Sequence, residues 1–128
     1  REARGLEDRP GDPAWTVKSV GREHTFETDT ADADVIRETL EGCVRQVHKD
    51  MLEDGHWCRT LTVKIRFEGY ETHSRQTTLR FASGSFEHLK AGALTLLEPF
   101  MRSSRKRLRL VGFSVSKLQP PEDLLPLT

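Results

Sequence analysis

The stretch RTLTVKIRFE, residues 59–68, alternates apolar and polar side chains more regularly than any other part of this sequence. Because successive side chains of a strand point to opposite faces of a sheet, the alternation predicts a strand with one buried and one open face. The apolar members, which we expect on the buried face, are Leu61, Val63, Ile65 and Phe67. The open face then receives Thr62, Lys64 and Arg66.

Three further strands are predicted, at residues 17–26, 72–81 and 108–118. The last of them adds apolar side chains to the buried face, namely Val111, Phe113 and Val115. The same period of two assigns polar side chains to the open face. They are Ser74, Gln76, Thr78, Ser114 and Ser116.

A first amphipathic helix is predicted at residues 32–52, because apolar side chains recur there every three to four positions. These side chains are Val35, Ile36, Leu40, Val44, Val47, Met51 and Leu52. Thr30 or Asp32 can cap the start of this helix, and Gly55 can end it.

A second helix is predicted at residues 86–101, with Gly84 and Ser85 supplying its cap. Its apolar stripe consists of Leu89, Ala93, Leu96, Leu97 and Phe100. Pro99 lies inside this pattern. Since proline lacks an N–H and clashes with the preceding turn, we expect it to kink the helix or to end it early.

The resulting order, β-α-β-β-α-β, is the split-βαβ arrangement of an α+β fold. It predicts a four-stranded sheet with two helices on one face, which leaves the other face open. That open face is rich in hydroxyls, with an amide and two cations, and it lacks aromatic side chains. A surface of this kind suits the phosphate backbone of a nucleic acid.

The ends of the chain differ from its middle in composition. Residues 1–17 contain glycines and prolines among charges, which is typical of a linker, and residues 119–128 are expected to form a tail that leaves the fold. No run approaches the about 18 apolar residues of a membrane span, and the N-terminal residues do not resemble a signal peptide. We therefore expect one domain at residues 18–118, in the cytoplasm and without a membrane partner.

The formal net charge is zero, yet the charges are unevenly distributed. Residues 31–54 carry seven acidic and three basic side chains, whereas residues 102–118 carry six basic side chains and no acidic one. The basic run at 102–109 is either a solvated loop or a phosphate-binding segment. Lys64 and Arg66 could equally protect a solvated face from aggregation.

No catalytic constellation is visible in the sequence. The only neighbouring pair of potential metal ligands is His56 and Cys58, and two ligands at this spacing are a weak signal for zinc. Cys43 and Cys58 are expected to be two reduced thiols. We therefore expect no active site, metal or cofactor within this chain.

Four segments resemble the little finger domain of Y-family translesion DNA polymerases of the DNA polymerase IV type. KSVGREHTF at residues 18–26 is similar to the opening of that domain, and LRLVGFSVSKL at residues 108–118 is similar to its closing strand. RGLEDRP at residues 4–10 resembles the exit of the preceding thumb domain, and residues 68–78 resemble the middle hairpin. The four segments occur in the order that the family has them.

The resemblance implies non-sequence-specific binding of the template–primer duplex during damage bypass in DNA repair. It also implies a parent nucleotidyltransferase whose magnesium-binding carboxylates lie in a separate palm domain, and a monomeric chain. The implied DNA contacts come from Ser19, Val20 and Gly21 through the main chain, and from Ser74, Arg75, Gln76, Arg107, Arg109 and Ser114. Position on the open face adds Lys64 and Arg66, and the basic run adds Arg105.

The last residues, EDLLPL at 122–127, resemble the peptide that binds the bacterial sliding clamp. The implied clamp-binding residues are Leu124, Leu125 and Leu127, although chance leucines in a disordered end remain an alternative. A second functional hypothesis is therefore a protein-docking module that acts mainly through the clamp. An RNA-binding or ligand-sensing domain is a third, disfavoured because the open face lacks paired aromatic side chains.

Overall fold

The computed structural model describes residues 19–69, 71–103 and 106–120. It confirms the predicted α+β fold and its element order. The elements are β1 (Ser19–Thr30), α1 (Ala33–Glu53), β2 (Cys58–Phe67), β3 (Thr72–Ser83), α2 (Phe86–Ser103) and β4 (Leu108–Ser116). The predicted linker at 1–17 lies outside the described residues, as do the tail positions from 121 onward.

The four strands form one antiparallel sheet in the order β1-β4-β2-β3. α1 contacts β1 and β4, α2 contacts β2 and β3, and the two helices contact each other. Both helices therefore cover the same face, and the seven side chains predicted for the buried face are all buried: Leu61, Val63, Ile65, Phe67, Val111, Phe113 and Val115. The hydrophobic effect of this one layer holds sheet and helices together.

The first helix begins and ends where its sequence predicts. The Oδ1 atom of Asp32 accepts hydrogen bonds from the N–H groups of Asp34, at 2.9 Å, and Val35, at 3.3 Å, which satisfies two donors of the first turn. Gly55 follows the helix with a φ of 76°, a left-handed conformation that glycine adopts without steric cost.

The second helix excludes one of the two expectations for Pro99. Its cap is confirmed, because the His88 N–H donates to Ser85 Oγ at 3.3 Å. Pro99, however, does not end it: α2 continues to Ser103. The buried side chains of Leu96 and Leu97 lie in the turn before the proline, so their packing favours a continuous helix over the local preference of proline.

Trp57 and Gly84 fix the corner of the domain where β2 begins and α2 approaches. A Cβ atom on Gly84 would lie 2.2 Å from Trp57 Nε1, so only glycine leaves room for the indole ring. Trp57 also exchanges two main-chain hydrogen bonds with Gln119, at 2.8 and 2.9 Å. This bridge ties the end of the described chain to the start of β2.

Two irregularities bend the sheet. Between the pairs Phe67↔Leu108 and Arg66↔Leu110, β4 advances two residues while β2 advances one, which makes Arg109 the extra residue of a β-bulge. The end of β3 is also irregular, and Phe81 there is 71% exposed. β1 extends to Thr30, beyond its predicted end at 26, because Thr30 pairs with Leu108 across this distorted region.

Both cysteines are buried and free, in agreement with the expected reduced thiols. Burial raises the pKa of Cys58 to about 12 and also raises the pKa of Cys43. Among the residues that the structure describes, no helix is apolar over a length that could cross a bilayer.

Candidate nucleic-acid interface

The open face of the sheet contains four rows of residues that each cross all four strands, and three of these rows lack an apolar side chain; the fourth consists of Thr25, Leu110, Arg66 and Thr72. Paired residues on neighbouring strands share a face, so the register assigns the rows directly. In the order β1, β4, β2, β3 the three rows without an apolar side chain are Ser19, Ser116, Thr60 and Thr78; Gly21, Ser114, Thr62 and Gln76; and Glu23, Gly112, Lys64 and Ser74. We call these twelve residues the polar face.

The polar face contains hydroxyl groups, one amide, one ammonium group and one carboxylate, but no aromatic side chain. Its first row has a hydroxyl on every strand, but that of Thr60 is buried and lies 3.1 Å from Thr78 Oγ1. Hydroxyls and main-chain amides donate hydrogen bonds to phosphate oxygens without distinguishing bases.

The middle of the polar face is a depression of about 560 Å³. Two glycines form its floor. A Cβ on Gly112 would come within 2.8 Å of Glu23 Cβ, and one on Gly21 within 3.0 Å of Ser114 Cβ. Side chains at either position would crowd these neighbours, so the glycines keep the surface open and the main chain accessible from the depression. The lining residues include Thr62, Lys64, Ser74 and Ser114.

The cations of the open face are held by specific partners. Lys64 Nζ lies 3.0 Å from Glu23 Oε1, across the intervening Gly112. Arg66, next to the third row, donates from Nε to Thr72 Oγ1 at 3.0 Å. Both cations nevertheless remain partly exposed, and Lys64 lines the depression, where an anion can reach it.

The basic run is more strongly neutralised than its sequence suggests. Arg109 forms a bidentate ion pair with Asp29, at 3.2 and 3.1 Å. Lys106 pairs with Glu71, and this contact holds the pKa of Glu71 below its usual value. Arg107 has an exposed side chain, while its carbonyl accepts from the Glu68 N–H at 2.9 Å.

Two of the implied contact residues carry their side chains on the other face. Val20 pairs with Val115 and packs against the core, which leaves only its main chain for a ligand. Arg75 pairs with Val63, so its exposed side chain lies on the helix side of the edge strand β3. By contrast, Ser74 and Gln76 lie on the polar face, as predicted.

Several expected site residues cannot be placed. Arg105 and the implied clamp-binding residues Leu124, Leu125 and Leu127 lie outside the described residues. Within the ranges that the structure does describe, no group of three or more His, Cys, Asp and Glu side chains could hold a metal ion.

Sequence reasoning missed the contributions of Glu23 and Gly112. Both fall within the segments that carry the family resemblance, but their meeting with Lys64 depends on the β1-β4-β2 register. A period-two pattern assigns a residue to a face and does not assign its neighbours on adjacent strands. The motifs alone therefore gave no signal for this pair.

The chain is similar to known proteins over most of its length. The family model described as "impB/mucB/samB family C-terminal domain" matches residues 17–124. A DNA polymerase IV of Methanoculleus marisnigri is 38% identical over 117 residues, which cover 91% of this chain and 32% of that protein. DNA polymerase IV 2 of Methanosarcina mazei is 32% identical and covers 84% of this chain and 29% of its own length. The chain thus spans about a third of the length of these curated relatives.

Solved structures share the fold at lower identity. A Y-family DNA polymerase chimera matches with a TM-score of 0.73 and 20% identity, over 83% of this chain and 30% of its own. The complex of beta-clamp processivity factor and little finger domain of PolIV matches with a TM-score of 0.63 and 19% identity, over 85% of this chain and 96% of that one.

Proposed function

This chain belongs to the impB/mucB/samB C-terminal domain family, the little finger of Y-family DNA polymerases, and we propose that its polar face binds duplex DNA without sequence specificity. The ligand is the template–primer duplex, held through its phosphate backbone. The observation that carries this proposal is the set of three polar rows across all four strands, with a glycine-floored depression at their centre.

The chemistry of the polar face supports backbone contact over base recognition. Phosphate oxygens accept hydrogen bonds from hydroxyl, amide and ammonium groups, all of which this face contains. Base stacking requires aromatic side chains, and the described polar face has none. This composition disfavours an RNA-recognition or single-strand-stacking function.

A fluorescence-anisotropy titration of a primer–template duplex at several salt concentrations tests the proposal. Lys64→Met should weaken binding on any DNA sequence. It should also make the slope of log affinity against log salt shallower by about 0.9, since one fewer phosphate is neutralised. Lys49→Met, an exposed cation on α1, is the matched control and should bind like the unchanged protein. Absence of duplex binding at low salt would contradict the proposal.

The parent activity follows from the relatives. DNA polymerase IV proteins are about three times longer than this chain, so we infer that the domain serves a translesion DNA-directed DNA polymerase. Magnesium would bind to that enzyme's palm domain, not here. The polar face would supply grip on the duplex while the catalytic domain adds nucleotides.

A second proposed function is docking to a sliding clamp through residues 122–127. The tail sequence resembles a clamp-binding peptide, and a solved little finger of the same fold forms a complex with the beta-clamp. Deletion of residues 122–128 should abolish clamp binding, measured by surface plasmon resonance, and should leave duplex affinity unchanged. Unchanged clamp binding after the deletion would exclude the tail as the docking site.

A further inference from the structure

The ion pair between Glu23 and Lys64 occupies the depression of the polar face. The two residues lie on strands that do not pair with each other, with β4 between them. Gly112 occupies the intervening position in the same row, and its missing side chain lets the carboxylate and the ammonium group meet at 3.0 Å. Both side chains are about half exposed, Glu23 at 50% and Lys64 at 41%.

A carboxylate in this position resembles the ligand that the face is proposed to bind. Like a phosphate, it is an anion whose oxygens accept hydrogen bonds from an ammonium group. Lys64 cannot direct its full charge to a DNA phosphate while it is paired with Glu23. Moreover, the negative charge of Glu23 repels any phosphate that enters the depression.

We propose that Glu23 is an intramolecular competitor that lowers the affinity of the polar face for DNA by holding Lys64. This inference rests on the proposed DNA-binding function and adds a residue that regulates it. Exposed ion pairs are weak, so a phosphate can displace the carboxylate and the carboxylate can return. Exchange of this kind keeps the affinity for DNA low. A low affinity suits a domain that must move along the duplex without recognising its sequence.

The decisive variant is Glu23→Gln, which keeps the size of the side chain and removes its charge. Duplex affinity should rise about threefold to tenfold at low salt, because Lys64 becomes available and a repulsive charge is lost. The slope of the salt dependence should change by much less than the about 0.9 of a full phosphate contact, since Lys64 reaches a phosphate in both proteins and Glu23→Gln removes only its competitor. Glu38→Gln removes the same charge from an exposed site on α1 and should leave both quantities unchanged.

A double-mutant cycle identifies Lys64 as the route of the effect. In a Lys64→Met background, Glu23→Gln should raise duplex affinity by no more than about twofold, because the ammonium group that Glu23 holds is no longer present. A full increase in that background would show general repulsion and would overturn the proposal. Circular dichroism and thermal unfolding verify that each variant is folded.

The outcomes also separate this inference from the function on which it rests. If Lys64→Met weakens duplex binding but Glu23→Gln leaves it unchanged or reduced, the competitor role is wrong and the DNA-binding function stands. If neither the unchanged protein nor any variant binds duplex at low salt, the proposed function itself is wrong, and the competitor role is overturned with it.

Discussion

At the scale of single residues, Gly84 shows how a missing side chain positions a large one. The indole of Trp57 lies against the Gly84 backbone, where a Cβ would come within 2.2 Å of Nε1. The same tryptophan forms the main-chain bridge to Gln119.

Gly84→Ala should therefore lower the free energy of unfolding by about 1–3 kcal/mol, the usual cost of overpacking. Chemical denaturation followed by tryptophan fluorescence measures this change. Gly42→Ala is the control, because no atom lies within 4 Å of its added Cβ and alanine favours a helix interior. It should be neutral or should stabilise by up to about 1 kcal/mol, and equal losses in both variants would contradict the explanation.

Cys58 predicts a dependence of stability on alkaline pH. Its thiol has a pKa of about 12 in the folded state, raised from an ordinary value of 9.0 by burial. A folded-state pKa above the unfolded one means that the stability from the protonated thiol is fully present below about pH 9 and is lost as pH rises toward 12.

The free energy of unfolding of the unchanged protein should thus fall more steeply between pH 9 and pH 11 than that of Cys58→Ala. Urea denaturation at several pH values gives the difference between the two proteins. Parallel pH profiles would show that the thiol does not ionise on unfolding in this range.

Residue-level partners were the least predictable feature of the site. The alternation in residues 59–68 correctly predicted that Lys64 lies on the open face. It could not predict Glu23 as its partner, nor Asp29 as the partner of Arg109. These contacts depend on strand register and on a β-bulge, and neither is encoded in a local pattern.

At the scale of elements, the helix caps were predictable because capping is local chemistry. Asp32 precedes the first helical residue, and its side chain accepts from two of the N–H groups that the helix leaves unpaired. Pro99 was expected to kink α2 or to end it early, and tertiary packing excluded the early end by carrying α2 on to Ser103.

Asp32→Ala should lower the free energy of unfolding by about 1 kcal/mol, because two hydrogen bonds at the start of α1 are lost. Thermal denaturation provides the measurement. Asp32→Asn keeps an oxygen at the capping position and should recover most of the loss. If asparagine is as damaging as alanine, the carboxylate acts through its charge and not as a cap.

The register of β3 predicts a difference between two cations. Arg75 pairs with Val63 on the helix side of the sheet, whereas Lys64 lies in the depression of the polar face. Arg75→Met should therefore reduce duplex affinity much less than Lys64→Met in the same anisotropy assay. An equal or larger loss at Arg75 would show that DNA reaches around the β3 edge.

At the scale of the whole molecule, the zero net charge conceals a basic segment, but internal ion pairs offset much of it. Lys106 and Arg109 face Glu71 and Asp29 within the folded domain. The sequence correctly indicated an uneven charge distribution. It overstated the free positive charge, because the acids that neutralise the basic run come from distant strands and loops.

The salt dependence of duplex binding tests this view of the molecule. If the two cations of the open face, Lys64 and Arg66, make the principal contacts, the slope of log affinity against log salt should be about −2. Participation of all four cations at 105–109 as well would make it about −5. We expect the shallower value, and a slope near −5 would show that DNA displaces the internal ion pairs.

The bridge between Trp57 and Gln119 also limits how far the residues after Gln119 can reach from the folded domain. Leu124 is five residues beyond Gln119, and five residues span at most about 18 Å, whatever conformation they adopt. A clamp groove that holds Leu124 must then lie within that distance of Gln119, which pairs with Trp57. A linker this short gives a bound clamp an effective concentration in the millimolar range beside the domain. Weak contacts between the clamp and the corner at Trp57 would then suffice to orient the whole domain.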